Sequence, residues 1–346
     1  MLKKFILSIL LLLFITSCAT MIKVKLLKPS DIDIGGIQKV AVLDINTDNN
    51  NANCSSSTLT SKLIDKIIDN GHFTVLGNTR QSEIMSGGFW IFVKGQIDNE
   101  KIKELGNRLG IDAIIVSDVS CVSKDEKTWK EDTDEINDVV LPVKKFRIER
   151  DINVTMDYKV IETTYGRILG SKELTDNSKT YSSYYTGQIL QNGTYIMLGI
   201  DEDEKKASSE LANISSTLEN LNNSILDKIV NQIAPHFEVE EREIKSGDSD
   251  LMKQAIELSK NNFLDKARVL WEEVLNTPAF NKDHIPAMYN LGIYYEVKGN
   301  FEKSEDYFMQ CFARTNDKQY LEDISRIKQR KEDIRKLKAQ GKDTNY

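Results

Sequence analysis

Phe146-Arg147-Ile148-Glu149-Arg150-Asp151-Ile152-Asn153-Val154-Thr155-Met156-Asp157-Tyr158-Lys159-Val160 alternates apolar and polar side chains almost without a break. A period of two puts Phe146, Ile148, Ile152, Val154, Met156, Tyr158 and Val160 on one face, so the segment reads as a long antiparallel strand with one dry and one wet side. Arg150 alone interrupts the apolar face. Residues 162–166 supply a turn, and residues 167–175 return as a second strand.

Upstream, Lys39-Val40-Ala41-Val42-Leu43-Asp44-Ile45 is a compact apolar run of the kind that suits a strand covered on both faces. Leu59, Leu63, Ile64, Ile67 and Ile68 then recur at helical spacing, with Gly71 where a C-cap belongs, and residues 72–76 read as a strand. A second helix is expected over 99–109 with Gly110 closing it, followed by a strand over 113–119. Strand, helix, strand, helix, strand is the order of an α/β layer. The apolar stretch 87–93 has no assigned role, and the charged, weakly patterned residues 123–138 read as a solvated loop.

Downstream, residues 178–199 are rich in Tyr, Ser and Gly. Ala207, Leu211, Ile214, Leu218, Leu221, Ile225 and Ile229 then step by four and three, which predicts one long amphipathic helix ended by Pro235. Its seam packs on its own sheet or, alternatively, on a second copy, making a homo-oligomer. After a strand-like segment 237–244, Gly247-Asp248 marks a boundary, and the remainder is helical. Leu251, Ala255, Leu258, Leu264, Ala267 and Trp271 can be laid over Met288, Gly292, Tyr295, Phe301, Ser304 and Phe308, so an internal repeat is present. Ala267 and Gly292 fall where helices must approach closely, and residues 276–283 carry an insertion. The helix 319–338 is expected to cap the stack.

The first residues read as a secretory signal: Lys3 and Lys4, an apolar run over 5–15, then Ile15-Thr16-Ser17-Cys18. The division expected is a signal over 1–17, a tether over 18–30, an α/β domain over 31–246 and helical repeats over 247–340. A net charge of −7 gives no general attraction for nucleic acid, and we expect no such partner. Beyond the signal no apolar run is long enough for a spanning helix.

No G-x-G-x-x-G, G-x-x-x-x-G-K-[ST], H-E-x-x-H, C-x-x-C or G-x-S-x-G spacing occurs, so no catalytic residue, cofactor or metal site is assigned and the chain is not expected to be an enzyme. His72, His236 and His284 are isolated from one another, unlike zinc ligands. Asp44 and Asp118 end strands, where open α/β sheets place ligands, but with no partner base they read as capping or turn residues. Cys54 and Cys121 follow those two strands: a disulfide, if the strands are neighbours, and two buried thiols are the alternatives. Cys311 reads as core.

Ser17-Cys18 after the apolar run resembles the lipobox of bacterial lipoproteins, which implies acylation of Cys18 and a membrane partner through its acyl chains. Together with Lys39 to Asp44, the hairpin over 154–171 and the long helix, it resembles CsgG-type lipoproteins, related in fold to the LpoB and TolB N-terminal modules. Asn290-Leu291-Gly292-Ile293-Tyr294-Tyr295 with Gly299 resembles the tetratricopeptide (TPR) signature. The resemblance implies a periplasm-facing protein on the outer membrane, since Ala19 rather than Asp follows Cys18. The expected function is a lipid-anchored scaffold that binds an envelope protein through inner-face repeat residues, Tyr289, Ile293 and Glu296. The alternative is a subunit of an oligomeric secretion channel, with 146–160 and 181–198 as membrane strands.

Overall fold

The computed structural model describes residues 20–47, 54–76, 92–93, 96–136, 139–186, 188–189, 195–196 and 200–342. The signal, Cys18 and the apolar residues 87–91 lie outside the described residues. In chain order the strands are β1 Thr20–Lys28, β2 Lys39–Val42, β3 Asn46–Thr47, β4 Thr74–Val75, β5 Phe92–Val93, β6 Gln96–Ile97, β7 Ala113–Ile136, β8 Val139–Glu162, β9 Ile168–Thr186, β10 Gln188–Ile189, β11 Tyr195–Ile196 and β12 His236–Ile244. The helices are α1 Ser56–Asn70, α2 Asn99–Leu109, α3 Ile200–Glu210, α4 Ile214–Ile233, α5 Asp250–Lys260, α6 Leu264–Leu275, α7 His284–Val297, α8 Phe301–Thr315 and α9 Gln319–Ala339. The chain divides into two compact units: residues 30–234, and residues 235–346 together with the segment up to Pro29.

The first unit is a mixed sheet in the order β4-β2-β7-β8-β9, with β3 beside β7. β2 pairs in parallel with β4 and β7, and β7, β8 and β9 are antiparallel neighbours. One face is covered by α1 and α4: Leu63, Ile67, Leu218, Ile225 and Ile229 meet Val40, Val42, Ile115, Ile152, Val154, Met156 and Tyr158. The other face is covered by α2 through Ile102, Leu105 and Leu109 against Ala41, Ile114, Val116 and Ile161. That is why the start of β7 is apolar at every position while β8 alternates. Helix α2 needs no tertiary help to define its ends: Asp98 accepts a hydrogen bond from the Lys101 amide, and Gly110 closes it with φ +63°.

Two sequence expectations are corrected in this unit. Of the expected loop 123–138, the described residues 123–136 are strand, because β7 runs on to Ile136 in unbroken register with β8, Ser123 opposite Ile152 and Ile136 opposite Val139. Charged side chains line both faces of this extension, so no period-two signal exists there, and the main-chain ladder continues the strand, helped by pairs such as Arg150–Asp125. The long helix over 207–229 is in fact two, α3 and α4, separated at residues 211–213, where the Asn213 side chain accepts from the Ser216 amide. The seam is used within the chain: Leu218, Leu221, Ile225 and Ile229 join the main core, while Ala207 and Leu211 pack on Ile148 and Tyr184 of the projecting strands.

In the second unit α5 to α9 form successive antiparallel helix pairs around Trp271, Phe308, Leu291 and Ile327. Gly292 lies against Phe308; a Cβ there would sit 2.6 Å from Cε1 of that ring. The supposed tether over 18–30 contains β1, which pairs along its whole length with β12, Thr20 opposite Ile244 and Lys28 opposite His236. Ile22, Val24, Leu26 and Ile244 belong to the helical core, so the segment 237–244 folds with the helices rather than with the α/β layer.

Candidate functional site

The inner-face residues chosen from the repeat are buried: Tyr289 is 3 % exposed, Ile293 0 % and Glu296 2 %. They cannot form a surface for a partner, because β12 and α9 cover them. Glu296 Oε1 accepts from Arg242 Nε and Nη2 at 2.9 and 2.8 Å, and from Arg326 Nε at 3.2 Å. Its Oε2 accepts from Arg326 Nη2 at 3.0 Å. Two guanidiniums on one carboxylate satisfy a charge that burial would otherwise make expensive. Burial pulls Arg326 down, but Glu296 and Asp323 outweigh it and hold its pKa above the ordinary value. Burial pushes the Asp323 carboxyl up, with Arg326 opposing.

Asn290, part of the repeat signature, is fully buried and acts as a surrogate strand. Its Oδ1 accepts from the Lys245 amide at 2.8 Å and its Nδ2 donates to the Lys245 carbonyl at 2.9 Å, fixing the end of β12. The Lys245 ammonium lies 4.4 and 4.6 Å from the Tyr289 and Tyr320 ring centres, a cation–π arrangement. At the opposite end, Arg330 donates to the Leu27 carbonyl at 3.1 Å and pairs with Asp333 at 3.2 Å. Lys28 pairs with Glu240 at 2.5 Å. Burial would raise the Glu240 carboxyl, but Lys28 and Arg242 overcome it and lower it. The groove of the helical stack is therefore occupied by the chain's own β1–β12 strand pair. Arg242, Arg326 and Arg330, unselected from sequence, hold it there.

In the α/β unit, Asp44 and Asp118 are both exposed, and Asp118 Oδ1 accepts from Asn46 Nδ2 at 2.9 Å. Asp44 follows the end of β2 by two residues, whereas Asp118 lies within β7 opposite Asp157, so the expectation that it ends a strand or forms a turn is corrected. Cys54 and Cys121 are joined by a disulfide in the main core, with Cα atoms 6.4 Å apart. Burial pushes the Cys311 thiol up to about 12. His284 is buried, its Nδ1 accepting from the Asn281 amide at 3.1 Å. Among the described residues no group of three or more His, Cys, Asp or Glu can hold a metal ion, and no helix is long and apolar enough to cross a membrane.

The projecting part of β7, β8 and β9 is wet and charged. Its outward row pairs Lys179 with Asp151 at 3.0 Å and stacks Arg147 on Tyr181 at 4.2 Å. On its other face Arg150, expected to break an apolar row, is turned to use: it pairs with Asp125 of β7 and donates to the Ala212 carbonyl at 2.9 Å in the break between α3 and α4. Phe146 stacks on Tyr184 at 5.4 Å, and Trp129 beside them is exposed.

The family described as a domain of unknown function, DUF6340, matches residues 253–339, the greater part of α5 to α9. No curated protein matches the chain. Solved structures it resembles include the LpoB C-terminal domain from Salmonella enterica, 13 % identical over 42 % of this chain and 87 % of that one, TM-score 0.26. A lipoprotein from Neisseria meningitidis is 12 % identical over 56 % and 99 %, TM-score 0.26. The PelC dodecamer from Paraburkholderia phytofirmans is 11 % identical over 61 % and 97 %, TM-score 0.25. Likenesses of this size assign no function.

Proposed function

We propose that the protein is a lipid-anchored, non-enzymatic adaptor of the cell envelope, with a CsgG-like α/β unit and TPR-like helices, facing the periplasm from the outer membrane. The observation that carries this reading is the position of β1. The strand starts at Thr20, two residues after Cys18, and is clamped through Arg330 and Lys28 into the helical unit. An acyl anchor on Cys18 is thereby within two residues of a strand of the folded body, which suits holding a partner at the membrane. Since the inner groove is filled, the envelope protein partner meets another surface, and the exposed Trp129 and Tyr181 on the projecting strands are the candidates.

The channel reading draws on the length of β7 and β8, which at roughly 3.4 Å per residue greatly exceeds what a sheet covered by two helices needs. Against it, a membrane strand requires an apolar lipid-facing row, whereas β7 carries charge on both faces here, Lys124, Glu126 and Lys130 on one and Asp125, Lys127 and Glu131 on the other. The adaptor reading is tested by mass spectrometry of the Cys18 peptide and by fractionation. Acylated wild-type chain should carry the acyl mass on Cys18 and sediment with membranes, and Cys18→Ser should sediment less; a Cys18 peptide without the acyl mass, or Cys18→Ser sedimenting as fully as wild type, defeats the reading. Migration in detergent as a ring of many copies, with ion conductance, would favour the channel instead.

A further inference from the structure

Among the described residues, the outer face of the β1–β12 strand pair keeps several apolar side chains exposed. Met21 is 47 % exposed, Phe237 61 % and Val239 59 %, although strands expose such side chains singly more often than in a group. The register places Met21, Lys23, Lys25 and Leu27 opposite Glu243, Glu241, Val239 and Phe237 on this one face. Leu27, Val239 and Phe237 thus form an apolar end, with the Lys25 ammonium 4.3 Å over the Phe237 ring, and Met21 lies at the other end. Only Ala19 separates Cys18 from β1, so the Cys18 and Thr20 Cα atoms are at most about 7 Å apart.

We infer that this face of the strand pair lies on the lipid bilayer, making a second, non-covalent membrane contact. The inference rests on acylation of Cys18 as read above. From Thr20 to Leu27 the strand is about 24 Å long, so an anchor at one end and the Phe237 cluster at the other hold the sheet flat. Phe237 and Val239 enter the interface while Lys25 keeps its charge in water, the arrangement of interfacial side chains generally. The two lysines and two glutamates of the face balance, so the contact is apolar in character and does not depend on anionic lipid.

The test uses the acylated full-length chain carrying a nitroxide at Val239→Cys, in phosphatidylethanolamine/phosphatidylglycerol vesicles. The native thiols do not compete, because Cys18 is acylated in the proposed form, Cys54 and Cys121 are bridged, and Cys311 is buried. Relative to vesicle-free Cys18→Ser protein carrying the same label, oxygen collisions should rise and those with a water-soluble nickel complex should fall several-fold. A label at Val269→Cys, exposed on α6, should show no change. A vesicle-bound chain whose residue-239 label stays in water overturns the docking and leaves the anchor standing; absence of an acyl mass on Cys18 removes the anchor itself. A label shielded already without vesicles means that a second copy or the rest of the chain covers the face, and also overturns the inference. As a further check, Phe237→Ser with Val239→Ser should cut vesicle partition of the unacylated chain by about tenfold, equally at low and high salt, with an unchanged melting curve; undiminished partition overturns it.

Discussion

Arg150 forks onto Asp125, Nε to Oδ1 at 2.8 Å and Nη2 to Oδ2 at 2.7 Å, while its remaining nitrogen donates to the Ala212 carbonyl at 2.9 Å. One side chain on β8 thus ties β7 to the helix break between α3 and α4. Replacing it by Met keeps the stem's packing and removes all three hydrogen bonds, leaving the Ala212 carbonyl dependent on water. The expected loss is about 1–2 kcal/mol, read as a lower urea midpoint with an unchanged slope.

The same pair gives a pH dependence. Hydrogen bonding from Arg150 holds the Asp125 carboxyl below its ordinary value of 3.8. A lowered folded-state pKa stabilises above the unfolded value and is lost as pH falls through the folded one. The melting-temperature gap between wild type and Asp125→Asn should therefore be constant near neutrality and close as pH drops below 3.8. A gap that widens in acid would contradict the assignment.

Glu296→Ala should be among the most damaging single changes, because it leaves Arg242 and Arg326 facing each other in a buried site. Breaking such a pair costs about 3–5 kcal/mol. Were Glu296 instead a partner-facing residue, the variant would melt normally and only lose binding, so calorimetry separates the two roles.

The Cys54–Cys121 bridge spans 67 residues of sequence, for which chain entropy predicts about 4 kcal/mol of stabilisation. Cys54→Ala with Cys121→Ala should lower the denaturant midpoint accordingly. Cys311, buried with its thiol held up to about 12, should resist alkylation in the native chain and react only on unfolding.

Gly292→Ala places a methyl group 2.6 Å from the Phe308 ring. Forcing that ring aside should cost about 1–3 kcal/mol. Phe308→Leu in the same background should recover part of the loss if the clash is the cause, measured as a partial return of the melting temperature.

What could be read in advance followed from local chemistry. Helix α2 carries its own caps, Asp98 and Gly110, and a narrow apolar stripe, so its limits were legible to the residue. The alternation over 146–160 announced a strand because α4 dries one face of it. The break after Glu210 was hidden: Ala207, Leu211, Ile214 and Leu218 stay in helical phase across it, and Asn213 three residues before Ser216 was the available sign. In β1, Ile22, Val24 and Leu26 do alternate with Lys23 and Lys25, yet the segment looked like a tether because its partner strand is more than two hundred residues away.

The sequence by itself determined the α/β order, the helical pairs, the close approach at Gly292 and the absence of the common catalytic spacings, since each is set by side-chain periodicity, volume or motif within a short window. Only the tertiary structure decided that the repeat groove is filled from within. Arg242 and Glu296 are ordinary charged residues in any window of sequence; their meaning comes from being brought together, buried and paired at 2.8 Å, by the packing of β12 on α7. The long-range pairing of β1 with β12 converts an apparent tether into part of a core, and turns three residues chosen for binding into residues that hold the fold.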